Sequence, residues 1–244
     1  MNKKNNLKDI DYKKYHRDKT YEENETHFRN IFQKRVDIFK NLKFNVNHGR
    51  VLDIGASTGV MLNIFKEDGW ETWGVEPSES SSVAIEKGHK ILKNFFEKVK
   101  LPTNYFDLVI MNHTLEHVDD ALVVLDKVNK ILKKDGILLV DVPNAGGIGS
   151  IVMKDKWPYK LPKEHTYQFT RQSLSELFKE AKFDVIHFES RSGIFEFHDP
   201  QAEIWEALIK GKKRFFTDLI NTPYDILTTF FDMGDSMTMI GKKL

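Results

Sequence analysis

The 244-residue sequence has no cysteine, which removes disulfide staples and thiolate metal sites from consideration. It has only 7 prolines and 14 glycines, too few for a collagen-like or Pro/Gly-rich disordered chain. Apolar runs are short, the longest resembling Ala121 to Leu125, far below the roughly 18 residues of a membrane-spanning helix. No membrane insertion is expected. The opening segment, Met1 to Tyr15, is rich in Lys, Asn and Asp and lacks the apolar centre of a secretory signal, so the expected location is the cytoplasm. Net charge is nearly absent as well: 37 Lys and Arg against 36 Asp and Glu leave +1. The balance is uneven, with 13 basic and 7 acidic residues in positions 1–50 (+6) and 24 against 29 beyond (−5). In the basic head, Asp9, Asp11, Asp18, Glu22, Glu23 and Glu25 interrupt the Lys and Arg residues. That interruption dilutes any phosphate-tracking stripe, and a nucleic-acid partner is not expected.

The rest of the composition, 40% apolar and 30% charged residues, is that of a globular chain long enough to bury a substantial core. Phe28, Ile31, Phe32, Val36, Phe39 and Leu42 recur at helical spacing, so residues 26–44 should form an amphipathic helix that covers the body of the chain. Residues 1–47 are thus expected as an arm and cover helix, and 48–244 as the main domain. From Arg50 the pattern becomes strand, glycine, helix, repeated. Val51 to Ile54 and Thr72 to Val75 read as strands, with a weaker one at Lys90 to Leu92. Phe106 to Met111 is nearly all apolar, as a strand buried on both faces should be, and Ile137 to Val142 is the fifth. Helices should carry Met61 to Phe65, Val83 to Ile85 and Leu122 to Leu132, the last stopped by Gly136. A helix from Thr170 and a strand near Phe183 to Glu189 come next, and Met237 to Gly241 reads as the last strand. This alternation predicts a doubly wound, mostly parallel α/β sheet with its ligand at the strands' carboxyl ends. Residues 191–235 interrupt it with a helical insertion, whose helices should open at Asp199-Pro200 and at Thr222-Pro223.

The first βα turn reads Asp53-Ile54-Gly55-Ala56-Ser57-Thr58-Gly59, and Glu76 ends the second strand 17 residues past Gly59. An acid there suits a ribose diol. A dinucleotide fingerprint would place its second glycine where Ser57 stands, and a P-loop would place Lys where Val60 stands. The loop therefore suits a nucleoside with little provision for phosphate, and Asp53 at its mouth would attract a cation.

Four motifs in series resemble those of class I S-adenosylmethionine (SAM)-dependent methyltransferases: Asp53 to Gly59, Gly74-Val75-Glu76-Pro77, Phe106-Asp107-Leu108-Val109 running into Leu115-Glu116-His117-Val118, and Leu132 to Val142. The resemblance covers about residues 48–190, and Glu164 to Thr170 is similar to small-molecule members of the ubiquinone and sugar type. It implies SAM as cofactor, a Rossmann-like seven-stranded sheet and a final antiparallel strand. By position, Gly55, Ala56, Ser57 and Gly59 would wrap the methionine part, Glu76 would bind the ribose and Pro77 would border adenine. Asn94 would meet the adenine amine, and Asn112 and His113 would lie under the methionine and sulfonium. Ser57 departs from the family, where glycine is common.

Methyl transfer from a sulfonium needs alignment and, for a hydroxyl acceptor, a base. His117 and His165 fall in loops at the expected edge and are the candidate catalytic residues; the simpler alternative is that each anchors its own loop. No metal is expected. His113-Thr114-Leu115-Glu116-His117 spells H-x-x-E-H, a zinc-hydrolase pattern that needs a helical context, whereas here a helix is expected only from Asp119. Asn221-Thr222-Pro223-Tyr224 faintly resembles the amino-group DNA methyltransferase motif but lies far from the fourth strand. The function expected is methylation of a small-molecule acceptor, a hydroxyl favoured, on a sugar, quinone-like or polyketide-like molecule. The alternatives are an RNA or protein methyltransferase, a zinc hydrolase, or a non-catalytic SAM-binding module. The insertion's aromatic residues, Phe195, Phe197, Trp205, Phe215, Phe216, Tyr224, Phe230 and Phe231, would wall the acceptor pocket, mate with a second subunit or form a small core of their own.

Overall fold

A computed structural model describes residues 23–44, 48–209 and 214–244, with side chains of the last segment described from Ile220 onward. The arm from Met1 to Tyr15 and the side chains of Phe215 and Phe216 lie outside these residues. The chain runs α1 (Glu25–Asn41), β1 (Arg50–Ile54), α2 (Val60–Glu67), β2 (Glu71–Val75), α3 (Ser81–Glu86) and β3 (Lys90–Leu92). Then come β4 (Phe106–Asn112), α4 (Ala121–Ile131), β5 (Leu132–Pro143), α5 (Ile148–Met153) and α6 (Arg171–Glu180). The last elements are β6 (Phe183–Arg191), α7 (Pro200–Ile209), α8 (Arg214–Phe230) and β7 (Ser236–Lys243). Seven strands form one sheet in the order β3-β2-β1-β4-β5-β7-β6. β1, β2, β3, β4 and β5 pair in parallel, and β7 enters antiparallel to both β5 and β6.

The apolar run Leu108 to Met111 of β4 results from the strand's central place. Leu108 and Ile110 face a core built with Phe32, Val36 and Phe39 of α1 and Leu62 and Phe65 of α2. Val109 and Met111 face the opposite core, with Leu125 and Val128 of α4 and Leu174 and Phe178 of α6. Helix starts are set locally. Asp120 Oδ1 accepts from the Val123 N–H at 3.1 Å, and Thr170 and Ser173 form a reciprocal capping box.

Three boundaries differ from the sequence-based expectation. Gly136 does not stop α4, which ends at Ile131; β5 begins at once with Leu132 opposite Phe106 and then bulges, with Asp135 at φ +61°. Gly136 serves that bulge, since a Cβ there would lie 2.9 Å from the Lys133 carbonyl oxygen. Nor does a helix begin at Thr222-Pro223. Pro223 lies inside α8, and the helix runs through it because Tyr224 and Asp225, next in the chain, are hydrogen-bonded to Asp235 and Ile194 of the body. The cover helix ends at Asn41, earlier than its periodicity suggested.

Candidate active site

The site lies at the carboxyl ends of β1, β2 and β4. The chain leaves β1 through Gly55 (φ +85°), whose Cβ, if it had one, would sit 2.4 Å from Thr114 Oγ1. Glycine is therefore needed both for the backbone angle and for the close approach. The Gly55 and Ala56 N–H groups donate to the Val75 carbonyl at 2.8 and 3.3 Å, tying the loop to β2. Ser57 is held at φ +45°, a left-handed conformation that costs an L-residue roughly 1–2 kcal/mol. The strain lets its N–H donate to Glu76 Oε2 at 2.9 Å, while the Ser78 N–H donates to Oε1 at 2.8 Å. The Glu76 carboxylate is thus fixed edge-on at the cleft wall by two backbone donors.

The cleft spans about 1,030 Å³, the open solvent at its mouth included, with Glu76 and Pro77 on one wall, Phe95 and Phe96 beside them, and His113 and His117 at the far end. A smaller hollow of about 320 Å³ adjoins it, bounded by Phe32 of the cover helix, Asp53, Thr58 and Asn112. Four buried polar atoms of these walls, Asp53 Oδ1, Ser57 Oγ, Thr58 Oγ1 and Asn112 Oδ1, have no hydrogen-bond partner. Buried polar groups without partners are costly, and these four are positions at which a polar ligand can supply the missing hydrogen bonds. Burial, with the neighbouring Glu76 charge adding to it, pushes the Asp53 carboxyl up to about 7.

His113 and His117 border the cleft, and buried Glu116 and His165 complete a cluster of imidazoles around one carboxylate without lining it. Leu115–His117 form a single 3-10 turn rather than an α-helix, and His113 precedes it at φ +51°, so H-x-x-E-H is not presented as a zinc-hydrolase helix face. Instead His113 sits between two acids, its Nδ1 3.3 Å from Glu116 Oε1 and its Nε2 3.6 Å from Asp141 Oδ1. Burial alone would lower the His113 pKa, but pairing with Glu116 and Asp141 raises it overall. His117, which lines the cleft, donates from Nδ1 to the Glu164 carbonyl at 2.9 Å, which leaves Nε2, 3.9 Å from Glu116 Oε1, as the nitrogen with the lone pair. His165 packs edge-on against His117, ring centroids 4.7 Å apart, and burial pushes its imidazole down to about 4. Glu116 is buried, and neither of its oxygens has a well-directed hydrogen bond. Glu116, His117 and His165 each offer one ligand atom within 4.8 Å of the others, a spacing a divalent cation can accept.

A buried ion network backs this end. Asp141, at the carboxyl end of β5, accepts from Arg191 Nη2 at 2.7 Å, from Arg35 Nη2 at 3.3 Å, and from the Ser236 and Thr238 hydroxyls. Burial would raise its pKa, but the two guanidiniums hold it well below the usual carboxylate range. Arg35 comes from the cover helix and also meets Glu196 of the insertion.

A family model described as a methyltransferase domain matches residues 23–188. The chain belongs to the class I SAM-dependent methyltransferases. Among curated proteins, a ubiquinone biosynthesis O-methyltransferase from Bradyrhizobium sp. (strain ORS 278) is 32% identical over 101 residues, 39% of this methyltransferase and 40% of that protein. C-methyltransferase NovU of Streptomyces niveus is 26% identical over 142 residues, covering 56% of this chain and 33% of that one. The chain spans about two-fifths of the first relative's length and one-third of NovU's. A solved SAM-dependent methyltransferase of Thermotoga maritima, described as a possible histamine N-methyltransferase, superposes with a TM-score of 0.60 at 22% identity, over 93% of this chain and 98% of that one. Haemonchus contortus phosphoethanolamine N-methyltransferase 2, in complex with S-adenosyl-L-methionine, gives 0.65 at 18% identity, over 96% and 60%. Both share the fold.

In the methyltransferase, Asp53, Gly55, Ala56, Ser57, Glu76, Pro77, Asn112 and His113 all border the cleft or its hollow. Gly59 stands behind them as the left-handed cap of α2. Asn94 is exposed and caps its own turn by accepting from the Phe95 N–H; its neighbours Phe95 and Phe96 line the wall instead. Trp157 and Tyr167 are structural, one donating to Asp235 and the other bridging to Ala121 and Asp119. Sequence reasoning named Glu116 only within the H-x-x-E-H pattern that it set aside, and it missed Arg35, Asp141 and Arg191. A charged residue inside the apolar strand Leu138-Leu139-Val140-Asp141-Val142 was the available signal.

Proposed function

We propose that this methyltransferase moves a methyl group from SAM to a hydroxyl of a small-molecule acceptor, with His117 as general base and His165 as its neighbour in the acceptor end. SAM supplies a methyl group on a cationic sulfur. Gly55 to Gly59, Asp53 and Asn112 would hold its methionine part, Glu76 its ribose, and Pro77 with Phe95 and Phe96 its adenine. The unpartnered Asp53, Ser57, Thr58 and Asn112 atoms support that fit. The observation that carries the acceptor chemistry is the fixed tautomer of His117, whose Nδ1–H is committed to Glu164 and whose Nε2 is available to a hydroxyl proton. The names of the O- and C-methyltransferase relatives favour a small acceptor over RNA or protein.

The experiment is an acceptor screen with methyl-labelled SAM, run on the wild type and on His117→Gln. Turnover of a hydroxyl compound that falls at least 100-fold in the variant, with unchanged SAM affinity, is the expected result. SAM binding without transfer to any acceptor would instead favour a non-catalytic module. The spacing of Glu116, His117 and His165 favours a second reading, in which a divalent cation held by all three activates the acceptor oxygen. Turnover lost to a chelator and restored by a divalent metal would establish it; turnover indifferent to a chelator establishes the free base.

A further inference from the structure

From Ile220 onward, where its side chains are described, helix α8 is turned inside out: the buried ones are the polar Asp225 and Thr228, while Ile220, Ile226, Leu227 and Phe230, with Phe231 just beyond the helix, are exposed, Ile220 at 76% and Phe230 at 79%. Hydrogen bonds fix this orientation. The Ile194 N–H donates to Asp225 at 3.4 Å, the Ser192 N–H to Thr229 Oγ1 at 3.3 Å, and Tyr224 OH donates to Asp235 at 3.0 Å. The helix cannot roll its apolar side inward without leaving these groups unpaired. Gly193, at φ +52°, brings the facing turn so close to Asp225 that a Cβ there would lie 2.0 Å from Oδ2. Beside α8, helix α7 exposes Trp205, Leu208 and Ile209 at i, i+3, i+4 spacing.

We propose that this face is the interface of a homodimer, α8 packing against α8 of a second copy. From Ile220 to Phe231 the only charged residue is the buried Asp225, and charge depletion with aromatic enrichment marks the centre of a protein interface. Exposed apolar side chains of α7 and α8 together offer on the order of 1,000 Å², comparable to the roughly 800 Å² each partner contributes to a stable interface. One apolar stripe crossing its own copy satisfies the self-complementarity of a two-fold axis. The acceptor cleft is bordered by other elements, so dimerisation leaves it open.

Sedimentation of the full chain at 1–100 µM should give about twice the 28.5 kDa monomer mass. The double variant Leu227→Glu, Phe230→Glu should raise the dimer dissociation constant at least 100-fold while S-adenosylhomocysteine affinity is retained. Because the chain has no cysteine, Leu227→Cys gives a second measurement: mild oxidation should link two copies, and Lys100→Cys, near β3, should not link. A wild type that is monomeric at 100 µM overturns the proposal. So does a double variant that folds and dimerises unchanged. A monomer that sediments with phosphatidylglycerol vesicles through this same face would assign it to a lipid surface instead.

Discussion

Glu76→Gln tests the cofactor cradle most directly, because the substitution is isosteric yet cannot be neutral here. Each Glu76 oxygen already accepts from a backbone N–H, Ser57 on one side and Ser78 on the other. An amide must turn its NH2 toward one of those donors, leaving a buried donor facing a donor. The stability cost is about 1–3 kcal/mol, which at roughly 2–4 °C per kcal/mol is a fall in Tm of about 4–8 °C for a mid-range loss. The ribose hydroxyls also lose a charged acceptor. The difference between charged and neutral hydrogen bonds is about 1–2 kcal/mol each, so two hydroxyls give roughly 30- to 1,000-fold weaker binding. Isothermal titration with S-adenosylhomocysteine reads the affinity, and a 2′-deoxy analogue closes a double cycle. Wild type should lose affinity for the analogue, and the variant should lose little more, because charge and hydroxyl belong to one interaction. A folded Glu76→Gln protein that binds S-adenosylhomocysteine within threefold of wild type would refute the cradle.

Because Asp53 titrates near 7 in the free protein and an ammonium group would require its charged form, SAM affinity should fall about tenfold per pH unit below 7, and Asp53→Asn should flatten that profile; equal affinity at pH 5.5 and 7.5 would contradict it. Asp141→Asn should cost about 3 kcal/mol, the low end for a broken buried ion pair, since Glu196 and Glu189 still meet the two arginines; thermal unfolding checks this, with a Tm loss of about 6–12 °C expected. Ser57→Gly should relieve the left-handed strain and raise Tm by about 1–4 °C, while loss of the Ser57 hydroxyl weakens SAM binding by roughly 2- to 10-fold, and a lower Tm would disprove strain at that loop. His89, bonded to Thr72 Oγ1 and Asn63 Oδ1, has its pKa lowered to about 4, chiefly by burial. Its unfolded form takes up a proton first, so its contribution is complete above about 6.5 and declines as pH falls toward 4; His89→Gln should lessen the pH dependence of denaturant unfolding in that window.

The alternation of strand and helix, the glycine turn and Glu76 were legible because each is local: a period, a turn residue, an acid at a strand end. The ion network was not, since Arg35 and Arg191 lie 106 and 50 residues from Asp141 and no periodicity announces such a meeting. Glu116 was hidden by its motif, which drew attention to a helical metal face while the chain made a tight turn that aims the carboxylate inward. In α8 the apolar residues were visible but their direction was not. Only the hydrogen bonds of Asp225 and Thr229 decide which side of that helix meets the body. Pro223 misled for a related reason: a helix start and a tolerated interior proline look alike until the preceding turn is seen.

The reach of Arg35 from α1 to Asp141 bears on where this protein could be trimmed. A fragment beginning at residue 48 would strip the aromatic lid from Leu108, Ile110 and Leu139 and deprive a deeply sunk carboxylate of one of its two cations. Such a fragment should aggregate rather than persist as a smaller enzyme, so the first helix is an integral wall of the fold and no detachable appendage.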